Sequence, residues 1–150
     1  MIAFDKSARA NWSLGWHRDR TICVAQRKEA DGFGPWSVKK GLMHVCPPFA
    51  LLARMVTLRV HLDAVDADNA PLRIALGSHL LGPISDNRMA GTVSACRQWS
   101  CLAKAGDIWA YATSILHASA RAGDPRQRRV LQIDYSANAL PHGLRWRGID

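Results

Sequence analysis

The sequence predicts an all-β sandwich or barrel. Several short segments alternate apolar and polar residues, turn-forming residues separate them, and no segment keeps a helical period for more than two or three turns. The clearest alternation lies in residues 12–19, 55–63 and 129–135. Each of these segments has one polar face, which indicates strands that line a cavity.

The first elements are short. Residues 2–4 are an apolar run, and residues 7–10 are typical of a loop. Residues 12–19 predict a strand with an apolar and a polar face, namely Trp12, Leu14 and Trp16 against Ser13, Gly15, His17 and Asp19. Residues 21–25 are β-branched and apolar, and they either continue this strand or form the next one.

Residues 29–48 are rich in glycine and proline and predict a long irregular excursion. Loops of this length in a compact domain often act as lids or binding loops. Trp36 and His44 therefore either cover a pocket or anchor the loop to the surface.

Residues 55–63 predict a second strand with a polar face formed by Thr57, Arg59, His61 and Asp63. Turns at 66–71 and 77–78 enclose a short strand at 72–76. Residues 85–95 have no clear period and are compatible with a helical turn or a loop.

The later segments also predict strands. Residues 99–104 and 108–112, with a turn between them, predict a hairpin of buried strands. In residues 129–135, Leu131, Ile133 and Tyr135 share one face, and the other face carries Arg128, Gln132 and Asp134.

Length and composition indicate one globular domain, residues 1–150, because 48% of the residues are hydrophobic and 21% are charged. No signal peptide or membrane-spanning run is evident, and the four cysteines show no Cys-x-x-Cys spacing. A cytoplasmic protein is therefore expected. The net charge of +8 is compatible with nucleic acid or small anions as ligands, or with a solvated basic face.

A candidate metal site begins at His17 and Asp19, because side chains two apart on a strand project from the same face. A second imidazole, His117, lies far along the chain. Two histidines and one carboxylate form the facial triad that holds Fe(II) with open positions for chemistry. A His-x-Asp pair alone is weak evidence, because such neighbours are common on protein surfaces.

A longer pattern resembles the phytanoyl-CoA dioxygenase family of Fe(II)/2-oxoglutarate oxygenases. Residues 68–79, Asp-Asn-Ala-Pro-Leu-Arg-Ile-Ala-Leu-Gly-Ser-His, are similar to the family's Asn-Gly-Pro-Leu-Arg-Val-Ile-Pro-Gly-Ser-His segment. Trp-His-x-Asp before it, and Ala-Gly-Asp and then Leu-His-x-Ser with a following Arg-Arg pair after it, keep the family's order. The resemblance implies a double-stranded β-helix, the cupin-like jelly roll, with long loops and little helix.

The resemblance also implies roles for six residues. His17, Asp19 and His117 match the iron ligands, and Arg128 matches the arginine that binds the distal carboxylate of 2-oxoglutarate. Arg128 lies on the polar face of its strand, whereas Arg129, the alternative, lies on the apolar face. Ser119 and Lys6 match residues that contact the cosubstrate.

The implied activity is hydroxylation of a small organic substrate, with Fe(II), 2-oxoglutarate and O2 as cofactor and cosubstrates. Asp19 favours hydroxylation over halogenation, because halogenating relatives lack this carboxylate. His61 and His79 are as compatible with structural roles as with pocket roles. Neither a nucleic-acid nor a membrane partner is expected, and the sequence predicts neither the substrate nor the oligomeric state.

Two rival functions remain. Family members usually carry a partly helical region before the strand that here follows Met1, so a catalytically inactive jelly-roll module that binds a small acid is the main alternative. A nucleic-acid-binding β domain is a weaker one, suggested by the positive charge and the interspersed tryptophans.

Overall fold

The computed structural model describes residues 1–148, so the last two residues of the predicted domain lie outside the described part. The described residues form eleven strands, two helices and one turn of 3-10 helix (Ser78–Leu80). In chain order the elements are β1 (Ile2–Lys6), β2 (Leu14–His17), β3 (Ile22–Val24), β4 (Trp36–Lys39), β5 (Leu42–Val45), α1 (Phe49–Leu52), β6 (Val56–His61), β7 (Leu72–Ala75), α2 (Asp86–Ala95), β8 (Gln98–Cys101), β9 (Ile108–Ala112), β10 (His117–Ser119) and β11 (Arg128–Tyr135). The predicted all-β class is confirmed, and no helix in residues 1–148 is long and apolar enough to cross a membrane.

Two four-stranded antiparallel sheets form the body of the fold. Their spatial orders are β1-β11-β6-β9 and β2-β10-β7-β8, and strands from both sheets line one cavity. The strand order alternates between early and late strands, which is the double-stranded β-helix arrangement of a jelly roll. A third sheet, β3-β5-β4, lies beside them.

The first sheet has its polar face inside. On β6, Thr57, Arg59 and His61 are buried, whereas Val56 is 45% exposed. On β11 the buried residues include Arg128 and Gln132. These five polar residues face the interior together with Val130, whereas the other apolar residues of the two strands lie on the outer face, as does Asp63, which the sequence placed on the polar face.

Three apolar clusters provide the hydrophobic burial that the cavity lacks. One fills the interior beside the cavity and includes Leu72, Ile74, Cys101, Tyr111 and Ile115. The largest lies at the third sheet and α1, and includes Ile22, Val24, Phe33, Val45, Leu51, Leu52, Met55, Leu140 and Leu144. The third lies under α2, where Met89 and Val93, one helical turn apart, pack near Leu116.

Residues 29–48 are not wholly irregular. They contain the hairpin β4–β5, and β5 also pairs with β3. Lys40 and Gly41 connect the two strands with φ angles of 50° and 76°, as in a two-residue hairpin turn of the type that matches strand twist. Lysine rarely adopts positive φ, so composition alone did not indicate this turn.

The predicted hairpin at 99–112 is wrong. Strand β8 pairs with β7, and β9 pairs with β6 in the other sheet. Between them, Ala103 exchanges both backbone hydrogen bonds with Val65, at 2.8 and 2.9 Å. This bridge takes the backbone groups that a hairpin would need, so the chain crosses from one sheet to the other.

Candidate metal centre and anion pocket

The histidines of the proposed triad are direct neighbours across two strands. His17 on β2 and His117 on β10 are register partners, and their ring centroids are 4.3 Å apart. The Nε2 atom of His117 lies 4.0 Å from Oδ2 of Asp19. One ligand atom from each of the three residues lies within 4.8 Å of the others, so the side chains converge on one point as a metal site requires.

A bulge in β2 shapes this part of the cavity. His17 pairs with His117, but Leu14 pairs with Ser119, so three steps on β2 match two steps on β10. The extra residue turns Leu14 to the same side as His17, and both line the cavity with Trp12. The predicted separation of Trp12 and Leu14 from the polar face is therefore wrong, because simple alternation fails at a bulge.

Both histidines are held in the same way. Nδ1 of His17 lies 2.8 Å from the carbonyl oxygen of Gly15, and Nδ1 of His117 lies 3.0 Å from that of Ile115. A carbonyl only accepts, so each Nδ1 carries the proton and donates it. The Nε2 lone pair of each neutral ring is therefore free to bind a metal.

Burial favours the neutral form of the second histidine. His117 is 3% exposed, and burial lowers its pKa, with Asp19 acting in the opposite direction and His17 and Arg59 adding to the lowering. A metal binds the unprotonated imidazole, so no proton has to be displaced from Nε2 at neutral pH. Together with the partly exposed Asp19 carboxylate, the donor set suits a divalent transition metal.

Gln132 fixes the carboxylate of the triad. Its Nε2 donates to Oδ2 of Asp19 at 2.9 Å, and its Oε1 accepts from NH1 of Arg59 at 3.4 Å. A guanidinium only donates, so Arg59 holds the amide of Gln132 with its NH2 group towards Asp19. The sequence placed Gln132 and Arg59 on polar faces, but it gave no sign of this chain of contacts.

Removal of this support should weaken metal binding. Gln132→Leu is expected to reduce the affinity for Fe(II) or Co(II) roughly 10- to 100-fold, the usual effect of losing a hydrogen-bond partner of a metal ligand. Anaerobic metal titration measures this. Gln127→Leu is the matched control, because Gln127 is exposed and contacts Asp5 on the surface. Equal metal affinities for the two variants would contradict the role of Gln132.

The other end of the cavity is cationic. Arg128 is 2% exposed and lies opposite Lys6 on β1 in the strand register. Lys6 Nζ donates to Ser119 Oγ at 3.1 Å and to the carbonyl of Ala120 at 3.0 Å. These three side chains face the same cavity as His17, Asp19 and His117, so all six residues singled out in the sequence line it.

Arg129 points the other way. Its Nε donates to Oδ2 of Asp63 at 2.9 Å, and its NH2 group donates to Oδ1 at 2.8 Å, on the outer surface. By contrast, Nε of Arg128 is buried and has no hydrogen-bond partner among the described residues. Of the two adjacent arginines, Arg128 is therefore the one with donors available inside the cavity.

The cations of the cavity repel each other. Burial, and then the charges of Arg128 and Arg59, lower the pKa of Lys6 to about 8. Burial and Arg59 lower the pKa of Arg128 to about 10. A bound carboxylate would relieve this repulsion and hold Lys6 protonated, so the electrostatics favour an anionic ligand.

Other residues singled out in the sequence lie outside the cavity wall. Trp36 packs against the largest apolar cluster, and His44 binds the carbonyl of Leu42 on the third sheet. Neither Trp36 nor His44 lines the cavity, nor do His61 and His79 among the described residues. Sequence reasoning assigned no site role to Phe4, Arg59 or Gln132, which do line it.

His61 should make the metal-free protein sensitive to acid. It is 2% exposed, and burial together with Arg59 and Arg128 lowers its pKa to about 4, against 6.5 when unfolded. Between these values the unfolded chain binds more protons, so the free energy of unfolding falls as the pH drops from 6.5 to 4. Unfolding temperatures across this range should fall less steeply for His61→Leu than for the wild type. The exposed His142→Asn should follow the wild type, and a slope in His61→Leu as steep as the wild type's would contradict the role of His61.

Comparison with known proteins gives a match at the level of structure. No family model and no curated protein matches this sequence. The solved structures that match over most of the chain include EctD from S. alaskensis in its apo form (TM-score 0.63, 17% identity, 92% of this chain and 44% of that one), the non-heme α-ketoglutarate-dependent carbocyclase SnoK from nogalamycin biosynthesis (0.58, 14%, 89% and 46%), and the non-heme monooxygenase ThoJ in complex with nickel (0.57, 21%, 89% and 41%).

Two further EctD structures, one with bound iron and one with 2-oxoglutarate and 5-hydroxyectoine, match 59% and 57% of the chain with a TM-score of 0.51. The chain spans less than half of the length of EctD, SnoK and ThoJ. At sequence identities this low, the structural similarity shows a common fold. The chain therefore has the double-stranded β-helix fold found in these non-heme oxygenase structures.

Proposed function

We propose that this chain is an Fe(II)- and 2-oxoglutarate-dependent dioxygenase that hydroxylates a small organic substrate. The observation that carries the proposal is that both sets of residues line one cavity. It has two imidazoles and a carboxylate at one end, and two buried cations with no ion pair among the described residues at the other. The fold of α-ketoglutarate-dependent SnoK and the EctD structures with iron and 2-oxoglutarate support the same conclusion.

In this proposal His17, Asp19 and His117 hold the iron, and Arg128 binds the distal carboxylate of 2-oxoglutarate. Lys6 and Ser119 complete the carboxylate site. Once bound, the metal and cosubstrate supply the oxidising chemistry, in which substrate, 2-oxoglutarate and O2 become hydroxylated substrate, succinate and CO2. Gln132 keeps Asp19 oriented, and the apolar walls formed by Phe4, Leu72 and Trp12 limit the access of water.

The finer parts of the proposal rest on the sequence. The phytanoyl-CoA dioxygenase family is proposed from residues 68–79 and the order of the flanking motifs. Hydroxylation rather than halogenation follows from Asp19 at the carboxylate position. The small-molecule substrate, the absence of a nucleic-acid or membrane partner and the cytoplasmic location stay predictions.

Anaerobic addition of Fe(II) and 2-oxoglutarate to the metal-free protein tests the proposal. A visible charge-transfer band that needs both additions is the expected result, and Asp19→Ala should not give it. Succinate release is then measured after O2 is admitted with candidate substrates. No band at saturating concentrations would overturn the proposal. A band without succinate for any substrate would favour the inactive binding module.

A further inference from the structure

The cavity contains one more buried cation than the proposed iron and cosubstrate sites use. Arg59 on β6 is 4% exposed and lines the same cavity as Arg128 and Lys6. Its Nε has no hydrogen-bond partner among the described residues. No salt bridge joins Arg59, Arg128 or Lys6 to a carboxylate in residues 1–148, although burial of an unpaired charge is unfavourable.

The position of Arg59 differs from that of Arg128. In the sheet register Arg59 is the partner of Gln132, four residues along β11 from Arg128, which corresponds to about 13 Å of strand. Its guanidinium contacts Gln132, which in turn contacts Asp19. It also lies 4.9 Å from the ring of Phe4, which is one inner position closer to Arg128. Arg59 therefore serves the metal end of the cavity, whereas Arg128 and Lys6 serve the far end.

We propose that Arg59 binds the carboxylate next to the keto group of the 2-oxo acid, so that the cavity holds a dicarboxylate at both ends. This inference rests on the proposed function. NH1 of Arg59 donates to Gln132, and Nε of Arg59 is buried without a hydrogen-bond partner among the described residues. A guanidinium fork matches a carboxylate with two parallel hydrogen bonds. Burial is the main cause of the lowered pKa values of Lys6 and Arg128, and the charge of Arg59 in the same cavity adds to both.

Two ligands distinguish the roles of the two ends of the cavity. 2-Oxoglutarate carries both carboxylates, whereas 2-oxopentanoate carries only the one beside the keto group. Their dissociation constants are measured by calorimetry on the protein saturated with Mn(II), which does not start the reaction. The wild type is compared with Arg59→Met and Arg128→Met, both of which keep an apolar stem of similar length.

Arg59→Met is expected to weaken the binding of both acids roughly 10- to 100-fold, because both carry the carboxylate that Arg59 binds. Arg128→Met is expected to lower the affinity for 2-oxoglutarate to that for 2-oxopentanoate. Its affinity for 2-oxopentanoate should stay within about threefold of the wild-type value. Arg59→Lys, which keeps the charge, should recover part of the loss. If Arg59→Met does not fold, Arg59→Gln is measured in the same way.

Gln132→Met separates direct binding from an effect through Asp19. At saturating Mn(II) this variant should lose much less affinity for both acids than Arg59→Met does, because it keeps the Arg59 guanidinium. If Gln132→Met reproduces the loss seen with Arg59→Met, Arg59 acts only by positioning Gln132, and the inference is overturned. Unchanged affinities in Arg59→Met overturn it as well. If the wild type binds neither acid, the proposed function fails, which is a different result.

Discussion

Asp19→Ala is expected to abolish substrate hydroxylation and to weaken iron binding strongly. Asp19 supplies the only carboxylate of the proposed triad and its negative charge. Loss of this ligand leaves two neutral imidazoles for the metal. Iron affinity and succinate release with a candidate substrate measure the effect.

The fold should tolerate this substitution. The Asp19 side chain is 29% exposed and is not part of the apolar clusters, so thermal unfolding of the metal-free variant should stay close to that of the wild type. Asp31→Ala, at an exposed position, is the control. If Asp19→Ala binds iron as tightly as the control does, Asp19 is not a metal ligand.

Arg128→Met is expected to raise the dissociation constant for 2-oxoglutarate strongly while iron binding changes little. A hydrogen bond to a charged group contributes about 1.5–3 kcal/mol, which corresponds to roughly 10- to 150-fold in affinity. Arg128 is buried opposite Lys6 and is not in contact with the triad. Calorimetric titration with 2-oxoglutarate, and a separate metal titration, measure the two effects.

Arg129→Met provides the internal control for this experiment. Arg129 pairs with Asp63 on the outer surface, where solvent screens an ion pair and its contribution to stability is small. Its substitution should leave the affinity for 2-oxoglutarate unchanged. A loss in Arg129→Met equal to that in Arg128→Met would show that the assignment of the two arginines is wrong.

Alternation of residue types predicted the walls of the cavity. In β6 and β11 polar residues at every second position lie inside, as at Arg59 and Gln132, but Asp63, beyond the end of β6, lies outside with Arg129. The same period separates Arg128 from Arg129, because neighbouring residues of a strand face opposite sides. This information is local, so it could be read from the sequence.

Features that depend on distant partners were not predictable in this way. The separation of β8 from β9 depends on the hydrogen bonds between Ala103 and Val65, and the turn of Leu14 into the cavity depends on a bulge opposite Ser119. The link from Arg59 through Gln132 to Asp19 joins three separate segments. Neither composition nor periodicity contains these pairings, since each is fixed only when the sheets assemble.

The three buried cations of the cavity imply a trade-off between stability and the proposed activity. Lys6, Arg59 and Arg128 repel one another in a region that contributes little hydrophobic burial, so the ligand-free protein is less stable than a neutral version would be. Substitution by methionine at these positions would therefore raise the resistance to denaturant and remove the proposed anion site together. Screening for thermostable variants of this chain would tend to select proteins without that site.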